Sequence, residues 1–312
     1  MEPQIHRRSI LPPEVSFAEW KAPDGWAYRR LDWLQPDPAQ ARGSILFAGG
    51  RGDFIEKYIE IYRHWYDQGW NLTAFDWRGQ GASRGKTSGG HLDSLDPLVE
   101  DLASLVEDWR AQVCGPHVVV GHSMGGHILL RLLVERRPEL AAAILVAPML
   151  GLNSAPLPAW LARWLAFFLT LIGAGKRPAW RTPDVPSGAG SKRQIYLTGS
   201  RDRYLEELWW WGREPGYNLG APSWGWLNAA YRSSASLGPR ALAKVETPLL
   251  LLGTECDRLV SAKAIRRAAS LIPGAELLMF KDSGHEILRE EDRIRLPALS
   301  RIDTFLQSHA PR

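Results

Sequence analysis

Short apolar runs recur along this chain, separated by stretches with helical spacing. Ser44-Ile45-Leu46-Phe47-Ala48, Asn71 to Phe75, His117 to Gly121, Ala142 to Val146, Pro248 to Gly253 and Glu276 to Phe280 are mostly too apolar to alternate. Such runs suit strands buried on both faces of a parallel sheet. Trp26 to Leu34 reads as an earlier strand with a turn before it. Between these runs the period changes. Phe54 to Gln68 carries Ile55, Tyr58, Ile59, Tyr62 and Trp65 at helical spacing, and Leu92 to Gln112 carries Leu95, Leu98, Leu102, Leu105, Val106 and Trp109 on one face. Ile128 to Val134 and about Arg295 to Gln307 read as further helices. Strands alternating with helices predict an α/β fold with a doubly wound, mostly parallel sheet.

The alternation stops after Ala147 and resumes near residue 243. A structureless loop of that length would be unusual, so residues 148–242 are expected to form an inserted helical cap, with residues 1–147 and 243–312 as the core. The insertion has its own composition, with eight of the 15 tryptophans. From Gly151 to Ala243 it has 11 Lys and Arg against 5 Asp and Glu, so the basic charge is concentrated here. Leu157 to Ile172 is apolar almost all round, with Pro158 suited to a first helical turn. Its 16 residues make about 24 Å of helix, short of a hydrocarbon core of about 30 Å, so a membrane span is not expected. Two readings fit it: a core helix of the cap, or a lid helix that lines an acyl site or dips into an anionic lipid surface.

Candidate chemistry sits where these elements join. Gly121-His122-Ser123-Met124-Gly125-Gly126 links an apolar strand to a helix. Glycines two positions either side of a serine on such a turn allow close strand–helix approach and push the hydroxyl outward, as in a nucleophile elbow. A serine hydroxyl needs a base, and the base an orienting acid. Asp257 follows the strand ending at Gly253 and is the candidate acid, with Glu255 as local rival. Only His285 and His309 lie after Asp257; His309 is the fourth residue from the chain end, so His285 is the candidate base. His122 reads as a packing or hydrogen-bonding residue. An oxyanion hole needs backbone amides aimed at developing charge. Met124, at a helix N-terminus, supplies one, and Arg51 in Gly49-Gly50-Arg51-Gly52-Asp53 the other. No Gly-Lys-Ser/Thr follows that loop, so it is not a P-loop.

Taken together, these segments resemble the α/β-hydrolase superfamily, and within it the lysophospholipase and monoacylglycerol lipase group. Gly49 to Tyr58 is similar to the group's oxyanion-loop segment, Phe75-Asp76-Trp77-Arg78-Gly79-Gln80-Gly81-Ala82-Ser83 to its D-x-R-G-x-G-x-S loop, and Ser283-Gly284-His285-Glu286 to its histidine loop. The resemblance spans about residues 25–305. It implies a serine carboxylester hydrolase acting on single-chain lipids without metal or organic cofactor. The family's loop histidine is Gly49 here, so bracing of that loop must come from elsewhere. Lys57 stands where monoacylglycerol lipases often have arginine near the glycerol head group. Gly50, Lys57, Trp160, Trp164 and Phe168 are the candidate substrate contacts. A short-chain or aryl esterase, an aminopeptidase and a non-catalytic binding protein remain alternatives.

Composition narrows the class a little further. The 312 residues, 45% hydrophobic and 23% charged, suit one globular domain with an insertion. The pI near 9.1 comes without a basic helix or RNA motif, so nucleic acid is not an expected partner. Cys114 and Cys256 are too few for a disulfide framework and are expected to be free thiols. Met1 to Arg8 lacks a signal peptide's apolar run. A cytoplasmic protein is expected, with possible contact at the inner membrane face through the cap; the oligomeric state is left open.

Overall fold

Alternate residues of each central strand face opposite sides of one sheet, and both sides are covered. The computed structural model describes residues 10–85, 87, 90–181 and 187–311. The eight strands are β1 (Ser16–Lys21), β2 (Ala27–Trp33), β3 (Gly43–Ala48), β4 (Trp70–Phe75), β5 (His117–His122), β6 (Ala142–Val146), β7 (Leu249–Thr254) and β8 (Glu276–Phe280). They are ordered β1-β2-β4-β3-β5-β6-β7-β8. β2 runs antiparallel to both its neighbours, and every other pairing is parallel.

Ile45 and Phe47 point to a layer with Ile59, Tyr62 and Trp65 of α1 (Ile59–Tyr66) and Leu299, Ile302 and Phe305 of α10 (Asp292–His309). Leu46 and Ala48 point the other way, to Leu98, Leu102 and Leu105 of α2 (Asp96–Gln112) and Ile128, Leu129 and Leu132 of α3 (Met124–Glu135). Each large apolar side chain buried in this way contributes about 1.5–3 kcal/mol relative to exposure. This is the doubly wound sheet that the sequence pattern predicts.

Three local departures have local reasons. β1 was not expected, because as an edge strand it buries only Trp20 and shows no apolar alternation. Leu92 to Leu95 lie outside α2, which starts where Pro97 can occupy the first turn. The stretch after Phe54 opens as a 3₁₀ turn, Ile55–Tyr58, before α1 continues it.

Between β6 and β7 the chain forms α4 (Ala159–Leu169), α5 (Lys192–Leu197), α6 (Arg201–Arg213), α7 (Trp224–Ser236) and the short α8 (Pro239–Leu242). Leu157 to Ile172 is not one helix: α4 passes into a π-helical turn at Thr170–Ala174 in which Gly173 has φ 83°. α5, α6 and α7 each open on a serine, Ser191, Ser200 and Ser223, whose hydroxyl accepts an amide of the first turn. A bridge between Leu152 and Val260 ties the start of the insertion to the core, and one between Pro178 and Ser223 joins two parts of the insertion.

Candidate active site

Strand registers bring four connecting segments to one edge of the sheet. Ala48 pairs with Gly121, so the loop after β3 leaves the sheet beside the elbow after β5. Thr254 pairs with Phe280, so the loops after β7 and β8 leave side by side. Thr254 Oγ1 donates to the Ser283 carbonyl at 2.8 Å, tying those two loops together.

Ser123 has φ 51° and ψ −113°, a conformation that costs a non-glycine residue about 1–3 kcal/mol. Its surroundings hold it there. Its amide donates to the Val146 carbonyl at 2.9 Å, and its carbonyl accepts the amides of His127 and Met149 at 3.0 Å each. The flanking glycines are required by contact. A Cβ on Gly121 would lie 2.7 Å from the Gly126 Cα, and one on Gly125 would run into the Ala48 carbonyl.

His285 Nε2 lies 2.8 Å from Ser123 Oγ, and His285 Nδ1 lies 2.7 Å from Asp257 Oδ2. The other Asp257 oxygen accepts the amides of Leu259 at 2.7 Å and Val260 at 2.9 Å. Burial favours the neutral carboxyl, but the His285 charge and these hydrogen bonds outweigh it and lower the Asp257 pKa. Burial likewise lowers the His285 pKa, and the Asp257 carboxylate more than offsets that, so it stands raised from 6.5. Glu255 is exposed and forms an ion pair with Arg266 of α9 (Ala262–Leu271).

The chain matches the family described as serine aminopeptidase, S33, over residues 39–292. It belongs to that family of α/β-hydrolases. Lysophospholipase L2 of Escherichia coli K12 is 31% identical over 288 residues, covering 85% of this chain and 80% of that protein. A probable lysophospholipase L2 of Haemophilus influenzae is 28% identical, covering 90% and 88%. A soluble variant of yeast monoglyceride lipase superposes with a TM-score of 0.75 at 18% identity, covering 96% of this chain and 97% of that one. This likeness shows the shared fold. The chain is thus a serine hydrolase, related to ester-cleaving enzymes of this fold.

In this S33 hydrolase the loop after β3 passes close to the serine. A Cβ on Gly50 would lie 3.0 Å from the Ser123 Cβ and 3.1 Å from His122 Nδ1. Four bonds set the loop's shape. Gly50 N donates to Asp53 Oδ2 at 2.6 Å, Gly52 N to Gln80 Oε1 at 2.6 Å, Trp77 Nε1 to the Gly49 carbonyl at 2.6 Å and Asp53 N to the Gly50 carbonyl at 3.4 Å. Asp53, Trp77 and Gln80 therefore brace this loop, which has glycine at position 49. Sequence reasoning named their motifs but gave these three side chains no role. Met124 is the first residue of α3, whose N-terminal amides have no acceptor within the helix. Arg51 lies between Gly50 and Gly52, with its guanidinium 3.0 Å from the Gly220 carbonyl and over the Trp226 ring.

Two sets of candidate substrate contacts are corrected. Lys57 does not present its ammonium to a substrate. It is buried, with Nζ 2.8 Å from Asp53, 2.6 Å from Glu286 and 3.3 Å from Glu207. The residue that looked like a head-group contact in the sequence is a counter-ion inside the fold. Trp160, Trp164 and Phe168 do not line an acyl tunnel: they are 65%, 62% and 55% exposed. α4 buries only Ala166, so it is not a core helix either. His122 makes hydrogen bonds, its Nδ1 lying 2.8 Å from Asp53 and 3.0 Å from the Tyr58 hydroxyl. Cys114 and Cys256 are both free thiols. Among the described residues no helix is long and apolar enough to cross a membrane.

Proposed function

We propose that this protein is a serine carboxylester hydrolase for single-chain lipids such as lysophospholipids or monoacylglycerols. The observation that carries the reading is the run of hydrogen bonds Asp257–His285–Ser123 at 2.7 and 2.8 Å, ending on a serine held in a strained elbow. Ser123 Oγ attacks the ester carbonyl while His285 Nε2 takes its proton. The amides of Arg51 and Met124 hold the oxyanion, and His285 returns the proton to the departing alcohol. Water then repeats the sequence on the acyl-enzyme. Asp257 keeps His285 in the tautomer whose Nε2 can accept. Side chains and two amides are all this chemistry uses.

The lipid part of the reading rests on the insertion and on the lysophospholipase L2 relatives. Leu157, Trp160, Trp164, Phe167, Phe168, Leu171, Ile172 and Trp180 are all exposed over one short stretch. Residues 151–181 include Arg163, Lys176, Arg177 and Arg181 and no Asp or Glu. Among the described residues these apolar side chains stand exposed together, which points to an interaction surface, and aromatic residues beside basic ones suit an anionic lipid interface. We take α4 as the face that meets that interface, with residues 148–242 acting as the cap over the site. Aminopeptidase chemistry fits less well, because it needs a carboxylate for the substrate ammonium. The buried carboxylates beside the site, Asp53, Glu207 and Glu286, already neutralise Lys57, Arg193 and Arg289.

The test is fluorophosphonate labelling of the wild type beside Ser123→Ala, followed by hydrolysis of p-nitrophenyl esters of increasing chain length. Labelling that requires Ser123, with preference for long acyl chains and turnover of lysophospholipid or monoacylglycerol, supports the reading. Labelling with short-chain preference makes the enzyme a small-ester hydrolase, and no labelling overturns the triad.

A further inference from the structure

One buried ionic cluster touches the loop after β3, the residue before Ser123 and the residue after His285. Its centre is Lys57, bonded to Asp53, Glu286 and Glu207. Asp53 is the acceptor for the Gly50 amide, so it shapes the loop proposed to carry the oxyanion donor. The same Asp53 oxygen meets His122, the residue before the nucleophile. Glu286 directly follows His285. Glu207 belongs to α6 of the insertion and also receives Arg193 of α5 at 2.8 Å. Arg289 closes the cluster on Glu286 at 2.5 Å. Lys57, Arg193 and Arg289 thus face Asp53, Glu207 and Glu286, with the buried Glu206 carboxylate also acting on Arg289; of the six paired side chains all are at most a few per cent exposed except Arg193.

The backbone repeats the connection. The Tyr196 carbonyl accepts the His285 amide at 3.0 Å, and the Leu197 carbonyl accepts the Glu286 amide at 2.8 Å. A Cβ on Gly284 would lie 2.6 Å from that Leu197 carbonyl, so the contact depends on glycine there. The Gly199 amide shares the Glu290 carboxylate with the Gly284 amide. The loop that presents His285 is therefore built against residues 196–199, the end of α5 and the start of the turn into α6. This half of the insertion is seated on the core by buried charge and paired amides, whereas α4 is left exposed.

We propose that Lys57 and Glu207 are positioning residues through which the seating of α5 and α6, joined by Arg193–Glu207, sets both the oxyanion loop and the His285 loop. Neither touches the ester. With α6 seated, Glu207 completes the shell around the Lys57 ammonium, which fixes Asp53 and, through it, the Gly50 amide. With α5 and α6 displaced together, Lys57 loses the Glu207 carboxylate and the His285 loop loses the Tyr196 and Leu197 carbonyl acceptors. The insertion is then part of the catalytic scaffold as well as a cover. This rests on the proposed serine mechanism and adds a condition on when it operates.

The test uses the full chain and a short soluble ester, so that lipid binding does not enter. Glu207→Gln keeps the side chain's size, and Lys57→Met removes the hub. Contacts that act on the oxyanion lower kcat and leave KM nearly unchanged. Misplacing such a site costs up to about 100-fold. Glu207→Gln is expected to lose about tenfold in kcat and Lys57→Met about 100-fold, with KM within about twofold. Affinity for a trifluoromethyl ketone transition-state analogue should fall by the same factors. Arg193→Gln added to Glu207→Gln separates positioning from charge imbalance: the double variant rebalances the cluster but leaves Lys57 an amide oxygen in place of a carboxylate, and it should stay slow. If Lys57→Met does not fold by near-UV circular dichroism, the Glu207 pair of variants carries the test. Wild-type kcat in folded Glu207→Gln, a loss confined to KM, or full recovery in the double variant overturns the proposal. If the wild type itself takes no fluorophosphonate at Ser123, the triad reading falls and this proposal with it. If the wild type is labelled and the variants are labelled at the same rate, only the positioning role falls.

Discussion

Replacing Asp257 with asparagine changes one atom and should disable the base without disturbing the fold. The reason lies in the two faces of the Asp257 carboxylate. Oδ1 accepts two amides, from Leu259 and Val260, at 2.7 and 2.9 Å. In Asp257→Asn the carbonyl oxygen must stay on that side, because an NH₂ there would oppose two N–H donors and leave them unsatisfied, at about 1–3 kcal/mol each. The new NH₂ then faces His285 Nδ1, which in the wild type lies 2.7 Å from Asp257 Oδ2. Nδ1 must become the acceptor, and the ring proton moves to Nε2. Nε2 now offers Ser123 Oγ a donor where it needs an acceptor. A tautomer inversion of this kind costs about 10⁴-fold in the serine protease that serves as the general template, or about 5.5 kcal/mol of transition-state stabilisation. The expectation here is a kcat loss of about 10³–10⁴-fold with KM little changed. Steady-state hydrolysis of a p-nitrophenyl ester measures it, with fluorophosphonate labelling rate as an independent check. Glu255→Gln is the control. Its carboxylate is exposed and pairs with Arg266, so activity should stay within about twofold. Retention of a tenth or more of wild-type kcat by Asp257→Asn, or a crippling Glu255→Gln, would refute the argument.

Three further outcomes are expected. The pH profile of kcat/KM should fall on the acid side with an apparent pKa above 6.5, because the Asp257 carboxylate outweighs burial and stabilises protonated His285, which cannot act as base. In Asp257→Asn the same limb should move to lower pH; an unmoved limb would mean another group titrates. Serine at Trp160, Trp164 and Phe168 together should weaken sedimentation with anionic phosphatidylglycerol vesicles, at about 1–2 kcal/mol per side chain, and leave hydrolysis of a short soluble ester within about twofold. Loss of soluble-ester activity in that variant would return those residues to the substrate site. Gly125→Ala drives a Cβ into the Ala48 and Gly49 carbonyls and should abolish labelling of Ser123 while lowering the urea midpoint, since overpacking costs about 1–3 kcal/mol; full labelling would show that the elbow can relax.

What the sequence determined by itself was local. A parallel strand buried on both faces shows as an unbroken apolar run, and an elbow needs small residues at fixed offsets. β3 to β8 and the Gly121–Gly126 turn were therefore legible before any coordinates. So were the loops carrying Asp257 and His285, since each begins where an apolar run ends. Tertiary structure decided everything that depends on what lies across a gap. Asp257 and Glu255 are two positions apart and chemically alike, and only the packing of the β7 and β8 loops turns one toward His285 and the other toward Arg266. Lys57 meets Glu207 and Glu286 from 150 and 229 positions further along the chain, so no local pattern could show that its charge is consumed inside the fold. The brace of the oxyanion loop is hidden for the same reason, because Trp77 and Gln80 reach Gly49 and Gly52 from the loop after the next strand. An apolar period says that a face avoids water but not what covers it. Of Leu157 to Ile172 only Ala166 is buried, whereas Trp226, Ala229 and Ala230 of α7 join the core, and nothing in the apolar pattern of either segment distinguished the two outcomes.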